Sequence, residues 1–461
     1  MTDSRNAAIQ YAHTQRGRFL QDLIELVRIP SISTTPENNG DMQRAAEWLA
    51  DKLRGLGMQK VEVYPTTGHP IVYGELLAAG PNRATVLVYG HYDVQPPDPL
   101  EQWRQPPFEP TRQGENLYGR GASDMKGQLI ATLSAIESVV RTGQSPLNYK
   151  IIIEGEEEVG SRTLHDFIQA HKDMLACDVM LNPDTEMIAA DTPTIVYGLR
   201  GLAYFELHVH GPNHDLHSGL YGGVVHNPAQ ALCELIAAMH DDHGTVALPG
   251  FYDHVRPLRP EEHAEFARLP MNEDYYLEHT GVPGLWGEKD YLPSERIGIR
   301  PTLEVNGLLS GFTSVGQKTV IPAAAMAKIS TRLVPDQTPE EIHQCMRRFL
   351  EEKAPKTIHW ELIMLSGSKP SLSDINNDGV RALATALEAV WGTRPVFKRE
   401  GGSVPVVVSV QEILGAPSVM TGFGLPDDNI HAPNEKLHLP TWERGMDALI
   451  HFFFNLGESK G

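Results

Sequence analysis

The sequence predicts an α/β protein built on a mostly parallel sheet with helices on both faces, interrupted by a smaller α+β domain. Three observations predict it. Short, almost wholly apolar runs such as Thr85-Val86-Leu87-Val88-Tyr89-Gly90, Tyr149-Lys150-Ile151-Ile152-Ile153 and Val179-Met180-Leu181 are separated by stretches of helical periodicity. Strands apolar on both sides belong to a sheet covered on both faces, the usual setting of parallel strands. Each run then ends in polar, ligand-type residues, and sites in open parallel sheets lie beyond the carboxyl ends of the strands. Beyond residue 197 the pattern changes to alternation, as in Ala203-Tyr204-Phe205-Glu206-Leu207-His208-Val209-His210, which marks a strand buried on one face only.

Taken in order, residues 7–27 and 42–57 carry helical periodicity, 85–90 form a buried strand, 128–140 a helix, and 149–153 and 179–181 two further strands. Ile195-Val196-Tyr197-Gly198 closes this first series. The alternating strand at 203–210 is followed by a helix at 228–240, strands at 324–333 and 357–365, and a helix between them at 339–353. A helix at 377–391 resumes the first pattern, and a strand at 417–420 precedes the last polar loop. The expected domains are therefore 1–196 and 371–461, forming the catalytic domain, and 197–370 as the insert. A chain of 461 residues exceeds what one core usually holds, which agrees with two domains.

A hydrophobic content of 41% is ordinary for globular cores, and no apolar stretch is long enough to span a membrane. Met1-Thr2-Asp3-Ser4-Arg5-Asn6 lacks the layout of a signal peptide, so a cytoplasmic protein is expected. The formal charge of -20 argues against nucleic acid and anionic membranes, because phosphate binding needs a basic surface. Cys177, Cys233 and Cys345 are odd in number and far apart, giving neither a disulfide framework nor a thiolate metal motif. They are expected as buried small apolar residues.

The strand ends carry the chemistry. His91 and Asp93 are two apart on one face, so the carboxylate can fix the imidazole tautomer while the other ring nitrogen meets a metal. Asp124, in Gly121-Ala122-Ser123-Asp124-Met125-Lys126-Gly127, stands before a helix start, where an aspartate also serves as an ordinary cap. Glu154-Gly155-Glu156-Glu157-Glu158 concentrates carboxylates that require a cation. Asp184 follows the third strand, and His431 lies in Asn429-Ile430-His431-Ala432-Pro433-Asn434-Glu435. Two imidazoles and three or more carboxylates compose a two-metal site, in which two ions about 3.5–4 Å apart share one carboxylate. A carboxylate left over next to a ligand can act as general base on a water held there.

These motifs, with Glu156-Glu157-Glu158-x-Gly160-Ser161 and His217-Ser218-Gly219, occur in the order found in the co-catalytic metallopeptidases, the family of aminoacylase, carboxypeptidase G, succinyl-diaminopimelate desuccinylase and carnosine dipeptidase. The chain resembles that family over nearly its whole length, and its dipeptidase members most. The resemblance implies a zinc-exopeptidase-like fold whose insert is a lid and dimerisation domain. It implies two divalent ions per subunit, zinc foremost, with manganese or cobalt as alternatives. His91 and Asp184 would hold one ion, Glu158 and His431 the other, and Asp124 would bridge them, followed by a cis peptide to Met125. Glu157 would be the base and Asp93 the residue that orients His91. In dimeric relatives a histidine matching His217 reaches the partner's site and polarises the scissile carbonyl, with Thr319 matching a second partner-supplied residue, so a homodimer is implied.

Arg332 and Ser403 match substrate-carboxylate residues of the dipeptidases, and a planar guanidinium suits a carboxylate through two parallel hydrogen bonds. Residues 248–300, which include Tyr275, Tyr276, Trp286 and Tyr291, lengthen the insert as in carnosine-type enzymes. The expected substrate is thus a dipeptide or short peptide with a free C-terminal carboxylate. N-acyl amino acids are the rival substrates, and a catalytically inactive homologue acting as a binding protein is the rival class, although His91, Asp124, Glu157, Glu158, Asp184 and His431 are all retained. A serine hydrolase is disfavoured, since no Gly-x-Ser-x-Gly elbow occurs.

Overall fold

The structure, a computed structural model, describes residues 2–143, 145–402 and 404–459. The predicted fold class is the one observed. The chain forms two compact units, one of Met1–Tyr197, Ser373–Phe397 and Pro405–Gly461, the other of Gly198–Leu372 together with Lys398–Val404. The short detour Lys398–Val404 joins Arg399 to the second unit.

In the first unit the sheet is built from β1 (Lys60–Tyr64), β2 (Ile71–Leu76), β3 (Thr85–His91), β4 (Asn148–Glu154), β5 (Val179–Asn182), β6 (Thr194–Leu199) and β7 (Ser418–Met420), in the order β1-β2-β4-β3-β5-β7-β6. The four central strands β4, β3, β5 and β7 run parallel. The outer pairs β1–β2, β2–β4 and β7–β6 are antiparallel. Parallel neighbours need crossovers, and α3 (Lys126–Arg141) supplies the one from β3 to β4. All of β4 and β5 is buried, in keeping with their largely apolar sequence. Helix α1 (Thr2–Val27) packs with α3 and α5 (Leu439–Ser459), α4 (Asp378–Trp391) with α5, and α2 (Asn39–Leu56) on β1 and β2. Helix α2 stops at Gly57, whose φ of 91° turns the chain left-handed while its N–H bonds Arg54 O. Among the described residues no helix is long and apolar enough to cross a membrane.

The second unit is a four-stranded antiparallel sheet in the order Thr302–Ser310, Ala324–Leu333, Gly201–His210, His359–Ser368. Alternation decides its faces. Ala203, Phe205, Leu207 and Val209 point into a core shared with helices Pro228–Ala237 and Pro339–Lys353. The second of these helices starts on a capping box, Thr338 with Glu341. The alternate residues of the strand, Leu202, Tyr204, Glu206 and His208, are half-buried on the other face.

The cysteine expectation needs correcting. Cys345 is buried in this core, but Cys177 is half-buried and Cys233 is exposed. Helical geometry explains Cys233: it lies two residues from both Ala231 and Leu235, which face the core, and so points the opposite way.

Candidate metal centre

Strand β3 delivers His91 into the interior at its carboxyl end, and the chain then turns through Asp93. Both side chains are completely buried. The His91 Nδ1 lies 3.1 Å from the backbone oxygen of Asp93 and 3.3 Å from its Oδ1. Two acceptors at Nδ1 place the proton there and leave Nε2 as the ligand atom. The same Asp93 carboxylate accepts the N–H groups of Glu157 (3.2 Å) and Glu158 (3.1 Å). One buried carboxylate therefore orients an imidazole and fixes the turn after β4.

The remaining donors converge on Asp124. Its Oδ1 lies 3.2 Å from His91 Nε2, and its Oδ2 lies 2.9 Å from His431 Nε2. Asp184 Oδ2 is 3.7 Å from His91 Nε2, and Glu158 Oε2 is 3.1 Å from His431 Nε2. Two triads result, His91–Asp124–Asp184 and Asp124–Glu158–His431, and within each the donor atoms all lie within 4.8 Å of one another. Each triad offers one imidazole and two carboxylates, which suits zinc and similar divalent ions. Asp124 is not a helix cap. Met125 takes that position at α3 with no side-chain cap, and the peptide joining Asp124 to Met125 is cis.

Electrostatics points to the same cation requirement. Burial, reinforced by Asp124, Glu157 and Glu158, pushes the Asp184 carboxyl well above its usual range against the opposing pull of His91. Burial with the nearby Glu158, Asp124 and Asp93 raises Glu157 to about 7. Hydrogen bonds to Asp124 and Glu158 raise His431 to about 10. Burial alone would discharge His91, but Asp124 and Asp93 outweigh it and keep it protonated. Imidazolium charge thus stands where the carboxylates call for positive charge, and a divalent ion competes for the same lone pairs.

Two residues that hold the centre had no role assigned from sequence. Glu435 is buried and accepts the N–H groups of Gly121 (2.9 Å), Ser123 (2.9 Å) and Asp124 (3.1 Å), while Arg120 Nη1 donates to it at 2.8 Å. It is the anchor of the loop that presents Asp124. Its motif neighbour His431 drew attention instead, although amide-rich Arg120-Gly121-Ala122-Ser123-Asp124 is a nest that needs an anion. Gln95 donates from Nε2 to Glu158 Oε2 at 2.8 Å, and nothing in its local sequence marks it.

The candidate substrate residues belong to the second unit. His217 and Thr319 come together on a two-stranded ribbon, Leu216–His217 against Val320–Ile321, where the Ser218 N–H bonds Thr319 O at 3.0 Å. Both side chains are exposed. The His217 Nδ1 accepts the Gly219 N–H at 3.0 Å, which leaves Nε2 as the proton-bearing donor. Arg332 lies apart from them on the four-stranded sheet, half-buried. Ser403 lies outside the described residues.

The chain is similar to known metallopeptidases. A family model described as peptidase family M20/M25/M40 matches residues 87–455, a span that includes every candidate ligand. The human Beta-Ala-His dipeptidase is 31% identical over 467 residues, covering 97% of this chain and 92% of that protein. A Cys-Gly metallodipeptidase of Candida albicans is 30% identical over 464 residues, covering 95% of each. Among solved structures, an M20 family metallo-carboxypeptidase from Sulfolobus solfataricus superposes with a TM-score of 0.85 at 32% identity, covering 95% of this chain and 99% of that one.

Proposed function

The chain belongs to peptidase family M20/M25/M40, and on that premise we propose that it is a dinuclear metal-dependent dipeptidase, cleaving the amide bond of dipeptides or short peptides with a free C-terminal carboxylate. The observation that carries this reading is the sharing of Asp124 between two donor triads, one oxygen to each side. His91 and Asp184 would hold one ion and Glu158 and His431 the other, with Asp124 shared between the two sets. Bound divalent ions, zinc by the donor set, would supply Lewis acidity to the scissile carbonyl and to the attacking water.

The protein's own groups do the rest. Glu157, fixed through its N–H on Asp93, takes a proton from the attacking water on its carboxylate and delivers it to the departing amine nitrogen. Its raised pKa suits a group that must both accept and release that proton. The Nε2–H of the partner subunit's His217 stabilises the oxyanion, assisted by the partner subunit's Thr319, in a homodimer. Support for the dimer comes from apolar side chains left in solvent beside these residues, with Leu220 76% and Val224 86% exposed. Arg332 and Ser403 receive the C-terminal carboxylate.

A second reading, removal of the C-terminal residue from longer peptides, follows from the metallo-carboxypeptidase likeness. Purified protein stripped with a chelator and reloaded with zinc, manganese or cobalt separates the readings. Dipeptides are expected to be cleaved fastest. Faster cleavage of acetyl-amino acids overturns the dipeptidase reading, and faster cleavage of longer peptides favours the carboxypeptidase.

A further inference from the structure

The second unit contains a cavity of about 390 Å³ on the outer face of its sheet. One wall is strand residues Thr302, Glu304, Ser330 and Arg332, and the other comes from the long insertion at Trp286 and Arg296. Its charges do not balance. Four arginines, Arg200, Arg296, Arg300 and Arg332, line it with only two glutamates, Glu288 and Glu304. Arg300 is neutralised by a two-pronged bond to Glu288, Nη2 to Oε1 at 2.9 Å. Arg296 is held on the carbonyls of Tyr291 (3.0 Å) and Trp286 (3.3 Å). Glu304 is exposed and has no ion-pair partner among the described residues.

Arg200 and Arg332 are left. Arg200 immediately precedes strand Gly201–His210, in which Leu202 is the register partner of Arg332. It is only 9% exposed. Its two hydrogen bonds, to the carbonyls of Arg300 (3.3 Å) and Arg296 (3.5 Å), both leave from Nη1. Nε is enclosed with no acceptor, and among the described residues Nη2 has none either. The loop at Gly401 packs against Nη2 so closely that a side chain there would come within 2.7 Å. Burial and the neighbouring Arg332 push the Arg200 guanidinium down to about 10, outweighing the opposing pull of Glu304, which makes no ion pair or hydrogen bond with it. Arg332 has no acidic partner among the described residues and is lowered by burial as well.

We propose that this cavity is a subsite for an acidic C-terminal residue of the peptide, with Arg200 taking the side-chain carboxylate and Arg332 the main-chain one. It rests on the dipeptidase reading for the role of Arg332. Two guanidinium groups match two carboxylates of one residue, and Trp286 and Ile297 supply an apolar lining for the methylenes between them. The subsite makes the enzyme selective for peptides ending in glutamate or aspartate over their amides.

Calorimetric titration of the full-length wild-type protein with free glutamate and with glutamine tests the subsite without turnover. Glutamate is expected to bind at least about tenfold more tightly, the worth of one charge-assisted hydrogen bond. Equal binding overturns the proposal. In steady-state assays kcat/KM for Ala-Glu over Ala-Gln is expected near tenfold in the wild type, near one in Arg200→Gln and intermediate in Arg200→Lys. A folded Arg200→Gln that keeps the wild-type ratio also overturns it. If that variant does not fold, the wild-type titration decides. If no dipeptide is cleaved at all, the reaction reading fails, and the titration still decides the subsite separately.

Discussion

The two units solve opposite problems with charge. In the first, five donors and two further carboxylates converge, and four of the seven are pinned by a named partner: His91 by Asp93, Glu157 and Glu158 by the same carboxylate, Asp124 by the Glu435-anchored loop. In the second, His217 and Thr319 stand in solvent on a short ribbon, and the buried Arg200 and half-buried Arg332 have no ion-pair partner among the described residues. A crowd of buried carboxylates is complete once cations arrive, whereas exposed histidines and unpaired guanidinium groups are complete only with a partner or a substrate. The difference teaches that preorganised acid clusters and preorganised basic pockets are recognised by the charge each lacks.

The comparison is broken most severely at its shared residue. Asp124→Ala is expected to remove bound metal from both positions and to lower turnover by at least about 10³-fold, since Lewis-acid help is worth several kcal/mol and each 1.4 kcal/mol is tenfold. Metal analysis of the purified variant checks it, and a variant with full metal and activity would contradict the bridge. Glu157→Gln separates chemistry from binding within the same unit. It should keep its metal while losing about 10²–10⁴-fold in kcat, the range of general acid–base help.

Asp93→Asn loosens the imidazole and the Glu157 turn together. A loss of roughly 10–100-fold in metal affinity is expected, read by competition with a chelator. An unchanged affinity would show that His91 is positioned by the strand alone. The mildest effect concerns the second unit, because mixing His217→Ala with Glu157→Gln subunits should restore activity. Each hybrid dimer then has one composite site with both groups intact, giving up to roughly half of wild-type rate. Hybrids that form and stay inactive would assign His217 to its own subunit or to structure.

Much of this was legible in residues. Almost wholly apolar runs announced β3, β4 and β5, and alternation announced Gly201–His210, because burial on two faces or one is written directly into side-chain polarity. The ligand types at the strand ends were equally plain, since His91, Asp124, Glu158, Asp184 and His431 follow elements that could be placed from sequence, and the family motifs supplied their pairing. What sequence could not supply was partnership across distance. That Asp124 turns one oxygen to each histidine instead of capping α3, that Glu435 holds the loop from more than three hundred residues away, and that Gln95 braces Glu158 are facts of chain convergence. The same holds for Cys233, exposed by its place on a helix, and for Arg200, unremarkable between its strands but enclosed with no ion-pair partner among the described residues. Sequence by itself determined which segments are strands and helices and which chemical groups stand at their ends, because local polarity decides both. The tertiary structure alone decided which of those groups share a proton, a cation or a cavity, because Coulomb and desolvation energies depend on distance and burial, and these exist only once the chain has closed on itself.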